Sequence, residues 1–94
     1  MLPGPEIAVV EALKRFPEVK RVWLFGSRAH GDNLPRSDID LAVEHDPLDG
    51  WRWFDIHDAA DASTLCKIDL LQLDDLPEEF RESIKAKGRI LYER

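Results

Sequence analysis

Gly26 and Ser27 end one apolar run, VWLF, and ten residues later Asp38 and Asp40 open another. Side chains on a strand alternate between its two faces, so Asp38 and Asp40 point the same way, roughly 7 Å apart. At an effective dielectric near 20, two like charges at that separation repel by about 2 kcal/mol. Water relieves this at a solvated edge or turn, which is the ordinary setting of an Asp-x-Asp. In a cleft, a divalent cation does so, and rigidly held carboxylate oxygens suit Mg²⁺.

The Gly-Ser pair favours the cleft. Gly26 has no side chain where the strand ends, so the backbone can turn sharply and a ligand can approach it. Ser27 then stands where a short helix can begin. Its hydroxyl and the neighbouring N–H groups make either a helix cap or an anion site, and one arrangement serves both. Arg28 is a further cation for that site or a surface residue. A third carboxylate, Asp69, interrupts the apolar run KIDLLQL. If that run lies beside the Asp38–Asp40 strand, three carboxylates converge, the arrangement for two-metal phosphoryl-type transfer.

The elements that must hold these groups can be placed from pattern. Pro5 to Phe16 reads as a helix with an apolar stripe of Ile7, Val10 and Leu13, which Ala8 and Val9 can join, stopped by Pro17. Lys20 to Phe25 and Ile39 to Glu44 read as strands, with Ile39, Leu41 and Val43 facing the core. Gly31 to Ser37 is loop chemistry. Trp51 to Ser63 forms a helix with Trp53 or Phe54, Ile56 or His57, and Ala60 inward. Lys67 to Leu73 is a third strand. A helix starts at Pro77 and stops at Gly88. Arg89 to Tyr92 is a short strand at a sheet edge. The expected fold is α+β: a small mixed sheet with helices packed mainly on one face.

At 94 residues, 44% apolar and 34% charged, the composition is that of one globular domain spanning residues 1–94. No apolar run approaches the ~20 residues of a membrane span, and the N-terminus lacks a signal-peptide pattern, so a cytoplasmic location is expected. The net charge of −6, with dispersed basic residues, argues against direct nucleic-acid binding. Cys66, the single cysteine, reads as a small buried hydrophobe beside Leu65 and Ile68.

Gly26-Ser27, ten residues, then Asp38-Ile39-Asp40 resembles the signature of the nucleotidyltransferase superfamily related to DNA polymerase beta. The local sequence GSRAHG is similar to the GSRARG of its smallest members, the MNT-type minimal nucleotidyltransferases, and the likeness runs through nearly the whole chain. It implies a palm-like core that transfers a nucleoside monophosphate, AMP from ATP being the expected case, to a hydroxyl with release of pyrophosphate. It further implies that Gly26 and Ser27 hold the triphosphate, that Asp38, Asp40 and Asp69 bind Mg²⁺ (two ions), and that Asp69 helps activate the nucleophile. His30 departs from the arginine of many members.

The resemblance also implies a partner, a small helical HEPN-type protein, with which such chains form toxin–antitoxin modules. The acceptor is then a tyrosine of that toxin, and this chain is the antitoxin. The alternative is a catalytically silent antitoxin that neutralises by contact. A lone transferase acting on small molecules or nucleic acid fits the acidic charge less well. Trp51, Trp53 and Phe54 are the candidate partner surface, and self-association through them or through the last strand is open.

Overall fold

The computed structural model describes residues 4–26 and 38–94. In chain order the elements are α1 (Gly4–Leu13), β1 (Val19–Phe25), β2 (Ile39–His45), α2 (Gly50–Ala62), β3 (Ile68–Gln72), a 3₁₀ turn (Leu73–Asp75), α3 (Glu78–Lys87) and β4 (Arg89–Glu93). The strands form one sheet in the order β3-β2-β1-β4. β1 runs antiparallel to both β2 and β4, while β2 and β3 are parallel. A parallel pair needs a crossover between its strands, and α2 supplies it. β4 lies at the edge, as its short run of residues led us to expect.

One face of the sheet carries the main core. Val22 and Leu24 of β1, Ile39, Leu41 and Val43 of β2, and Ile68 and Leu70 of β3 pack there against Val9 and Leu13 of α1 and Ile56 and Ala60 of α2. The alternation expected for β2 therefore holds. The stripe of α1 differs from expectation. Val9, Val10 and Leu13 are buried as expected, but Ile7 is exposed and Glu6 is buried in its stead. Positions 6, 9, 10 and 13 follow the 3.6-residue period, while 7, 10 and 13 step by three and drift off the buried face. In α2, Ile56 and Ala60 are buried and Trp53 packs at the core margin; Trp51 and Phe54 are 83% and 63% exposed. Cys66 is half-buried at the core edge and Leu65 is fully exposed, because both sit in the turn before β3 rather than inside it.

The opposite face is roofed by α3. Ile84 and Leu73 pack on Trp23 and Ala42, with Phe25 and Leu76 at the margin. Two helices thus cover one face, and the third covers part of the other. Pro77 occupies the cap position of α3, with Glu78 and Glu79 in the first turn and Lys85 and Lys87 in the last, a charge order that complements the helix dipole. The far end of this face is charged. Arg21 donates to Glu93 (2.7 Å) and Glu44 (2.9 Å), and Lys85 lies 3.8 Å from Glu44, which links α3 to the sheet. Arg52, at the start of α2, holds Glu18 through two hydrogen bonds of 2.6 and 3.0 Å and stacks over Phe16 at 4.7 Å. No helix among the described residues is long and apolar enough to cross a membrane.

Candidate active site

The pairing register decides which side chains share the site. Asp40 of β2 lies opposite Asp69 of β3 and opposite Phe25 of β1. Residues opposite one another on neighbouring strands share a face. Ile39 and Leu41 are buried in the main core, so Asp40, between them, points to the other face, the one roofed by α3. Asp69 does the same between Ile68 and Leu70. Asp38 stands exposed, just before β2 begins, at the mouth of the same strand. The condition for convergence, that β3 lie beside β2, is met.

Electrostatics registers the crowding. The pKa of Asp40 is raised above its ordinary 3.8, first by burial and then by the charges of Asp69 and Asp38. At the ~5 Å spacing of neighbouring strands, and with side-chain splay, Asp40 and Asp69 repel by about 2–3 kcal/mol at an effective dielectric of 20. A carboxylate that is costly to ionise among like charges is the setting a divalent cation relieves. The donor set, three hard oxygen ligands, suits Mg²⁺. Among the described residues, no three acidic, histidine or cysteine side chains are drawn close enough to close around an ion. What speaks for the fit is the face that Asp40 and Asp69 share across neighbouring strands.

Gly26 completes the local geometry. Its φ is +75°, the left-handed region that side-chain-bearing residues seldom adopt. A Cβ built there would overlap Asp40 Oδ2 and stand 3.3 Å from Asp40 Cγ. The glycine therefore serves two needs at once: it turns the chain out of β1, and it leaves the Asp40 carboxylate room beside that turn. Ser27 and Arg28, expected to complete the phosphate cradle, lie outside the described residues, as does His30.

A small cleft of about 90 Å³ adjoins this turn, between β1 and α3. Its lining includes Phe25, Gly26, Phe80, Ser83, Ile84 and Lys87. The Phe25 and Phe80 rings meet edge to face, 5.7 Å apart at 88°. Sequence pattern did not single out these α3 residues. Positions 80, 83, 84 and 87 do form one helical stripe, but nothing local says which face of the sheet that stripe meets. The larger cleft at the far end of the sheet, lined by Lys20, Arg21, Glu44, His45, Asp74 and Arg94, is remote from the aspartates, and most of its charges are already paired.

Comparison with known proteins agrees with this geometry. The family model for "Polymerase beta, Nucleotidyltransferase" matches residues 8–94. The chain is 34% identical over 96 residues to the probable protein adenylyltransferase MntA of Haemophilus influenzae, covering 99% of this chain and 84% of that protein. Among solved structures, it resembles a chain of a toxin–antitoxin complex with AMP-PNP, with a TM-score of 0.78 at 24% identity, covering 95% of this chain and 73% of that one. It also resembles a chain of the complex between the tri-AMPylated Shewanella oneidensis HEPN toxin and its MNT antitoxin, with a TM-score of 0.71 at 22% identity, covering 96% and 71%. Those two likenesses bear on the fold; the family match and the Haemophilus relative bear on descent. This chain belongs to the polymerase beta nucleotidyltransferase family.

Proposed function

We propose that this chain is a nucleotidyltransferase that moves AMP from ATP to a hydroxyl of a HEPN-type toxin, with a tyrosine as acceptor, and so acts as its antitoxin. The observation that carries the reading is the pairing of Asp40 with Asp69 across neighbouring strands, beside the positive-φ turn at Gly26. The relationship to a probable protein adenylyltransferase over almost the whole chain supports protein as the acceptor class. The likeness in fold to the antitoxin of an AMPylated toxin complex supports the kind of partner.

In this reading Asp38, Asp40 and Asp69 hold Mg²⁺. When bound, the metal offsets the charge of the carboxylates and of the triphosphate and stabilises the developing charge on the leaving group. Gly26 lets the triphosphate approach the backbone at the end of β1, and Ser27 and Arg28 hold its phosphates. The acceptor oxygen attacks the α-phosphorus, the bond from that phosphorus to the α,β-bridging oxygen breaks, and pyrophosphate departs. A carboxylate oxygen of Asp69 takes the acceptor's proton. A contact-only antitoxin has no need of Asp40 and Asp69 sharing one face, with Asp38 at the strand's mouth, at a cost in repulsion, and this favours the transfer account.

The test incubates the protein with Mg²⁺, labelled ATP and a HEPN-type toxin. Label should appear on the partner, and the paired change Asp38→Asn with Asp40→Asn should abolish both labelling and neutralisation. If that variant still neutralises the toxin in full, antitoxicity does not depend on transfer.

A further inference from the structure

We propose that Lys87, with Ser83 beside it on α3, binds the terminal phosphates of the nucleotide and the pyrophosphate that leaves. This rests on the transfer reading above and adds a binding residue to it.

The transfer ends with a polyanion leaving a site built from three carboxylates in a chain of net charge −6. A cation of the protein facing that anion, beside any metal and Arg28, would favour its binding. Among the described basic residues, most are already committed. Lys14, Lys20, Arg21, Arg52 and Lys85 each have a carboxylate partner, and Arg94 donates to the carbonyls of Val19 and Phe16. Arg89 pairs in register with Leu24, whose side chain lies in the main core, so Arg89 belongs to the face away from the aspartates. Arg15, Lys67, Arg81 and Lys87 form no ion pair among the described residues, and of these four Lys87 is the one that lines the cleft that Gly26 also lines.

Its position is tightly fixed. Gly88 follows it, and a Cβ on Gly88 would stand 2.9 Å from Leu24 O and 2.5 Å from Ile84 O. The end of α3 thus runs directly against the end of β1, two residues before the Gly26 turn. Ile84 packs on Trp23, and Phe80 meets Phe25 edge to face, which sets the rotation of the helix. With that rotation, positions 83 and 87 share the cleft side with Phe80 and Ile84. Lys85 points elsewhere, toward Glu44. A space of about 90 Å³ is small for a purine, and it offers one ammonium and one hydroxyl, the groups that receive phosphate oxygens.

A charge in the last turn of a helix also complements the helix dipole. That role would make Lys87 matter to stability and leave nucleotide binding untouched, so binding is the quantity to read. Titration of ATP, pyrophosphate and AMP into the full-length protein with Mg²⁺ should show Lys87→Gln weakening ATP and pyrophosphate by about tenfold and AMP by less than twofold. Lys87→Arg should restore most of the loss. Equal ATP affinity in wild type and Lys87→Gln would overturn the assignment, as would an equal loss for AMP. Failure of the wild-type protein to bind ATP at all would instead count against the transfer reading.

Discussion

Replacing Gly26 with alanine strikes the site and the fold at one atom. The left-handed φ of +75° costs a residue with a Cβ about 1–2 kcal/mol, partly offset because alanine restricts the unfolded chain more than glycine does. The added methyl also overlaps the Asp40 carboxylate. Asp40 relieves the overlap by turning its carboxylate about χ2 or, where that is not enough for Cγ, about χ1, at roughly 0.5–1.5 kcal/mol off a rotamer minimum, and either turn re-aims the carboxylate relative to Asp69. The sum is about 1–3 kcal/mol, or a fall in Tm of roughly 5–20 °C for a domain of this size. Activity should fall more than stability, by a hundredfold or more at temperatures where the variant is folded, about 2.7 kcal/mol of lost transition-state stabilisation. Thermal melts of wild type, Gly26→Ala, Asp40→Ala and the double variant separate the two terms. With Asp40 truncated the overlap vanishes, so Gly26→Ala should cost 0.5–1.5 kcal/mol less in that background, within the error of about 0.3–0.5 kcal/mol usual for such cycles only at the low end. Equal cost in both backgrounds would refute the steric link between Gly26 and Asp40. A Gly26→Ala protein with unchanged Tm and full activity would refute the site geometry as a whole.

Two further outcomes follow from the same structure. Because the pKa of Asp40 is raised, its contribution to the stability of the metal-free protein is fully present below about pH 3.8 and is lost as the pH rises through the raised value. Asp40→Asn should therefore raise the Tm of the metal-free protein near neutral pH, with the gain shrinking in acid and shrinking again when Mg²⁺ is added to both proteins; a Tm lowered by the substitution would contradict the crowding. Trp51 and Phe54 stand so far out of the core that the double change to serine should move stability by no more than about 0.5 kcal/mol. If this face meets the partner, as the sequence reading suggests, the same variant should bind it at least tenfold more weakly in a titration, and unchanged affinity would place the contact elsewhere.

What could be read from the sequence, and what could not, divides along local and non-local lines. The strand period alone orients Asp38 and Asp40, because alternation depends only on neighbours along the chain. That Asp69 stands opposite Asp40 depends on which strand pairs with β2 and in what register, and the pattern of KIDLLQL offers the possibility without fixing it. The α1 stripe went astray for a physical reason of another kind. Val9, Val10 and Leu13 lie on the buried line, but its first position is taken by a carboxylate, Glu6, which an apolar pattern passes over for Ile7, one position off that line.

The roof of the site is the largest element that pattern could not place. The ends of α3 are legible in Pro77, in the acidic first turn and in Gly88, but EEFRESIKAK carries only two large apolar residues, Phe80 and Ile84. Two such residues can seat a helix on either face of a sheet. The choice is made by the 3₁₀ turn at Leu73–Asp75, which buries Leu73 beside Trp23 and Ala42 and so takes the chain from β3 to the face of the aspartates. Local propensity does not reveal such a turn, because LDD reads equally well as loop. Yet that turn brings Lys87 to the Gly26 end of β1 instead of leaving it on a solvated surface. A cation that looks like ordinary end-of-helix chemistry in the sequence becomes, through one short non-local connection, the uncommitted positive charge lining the cleft at the Gly26 turn.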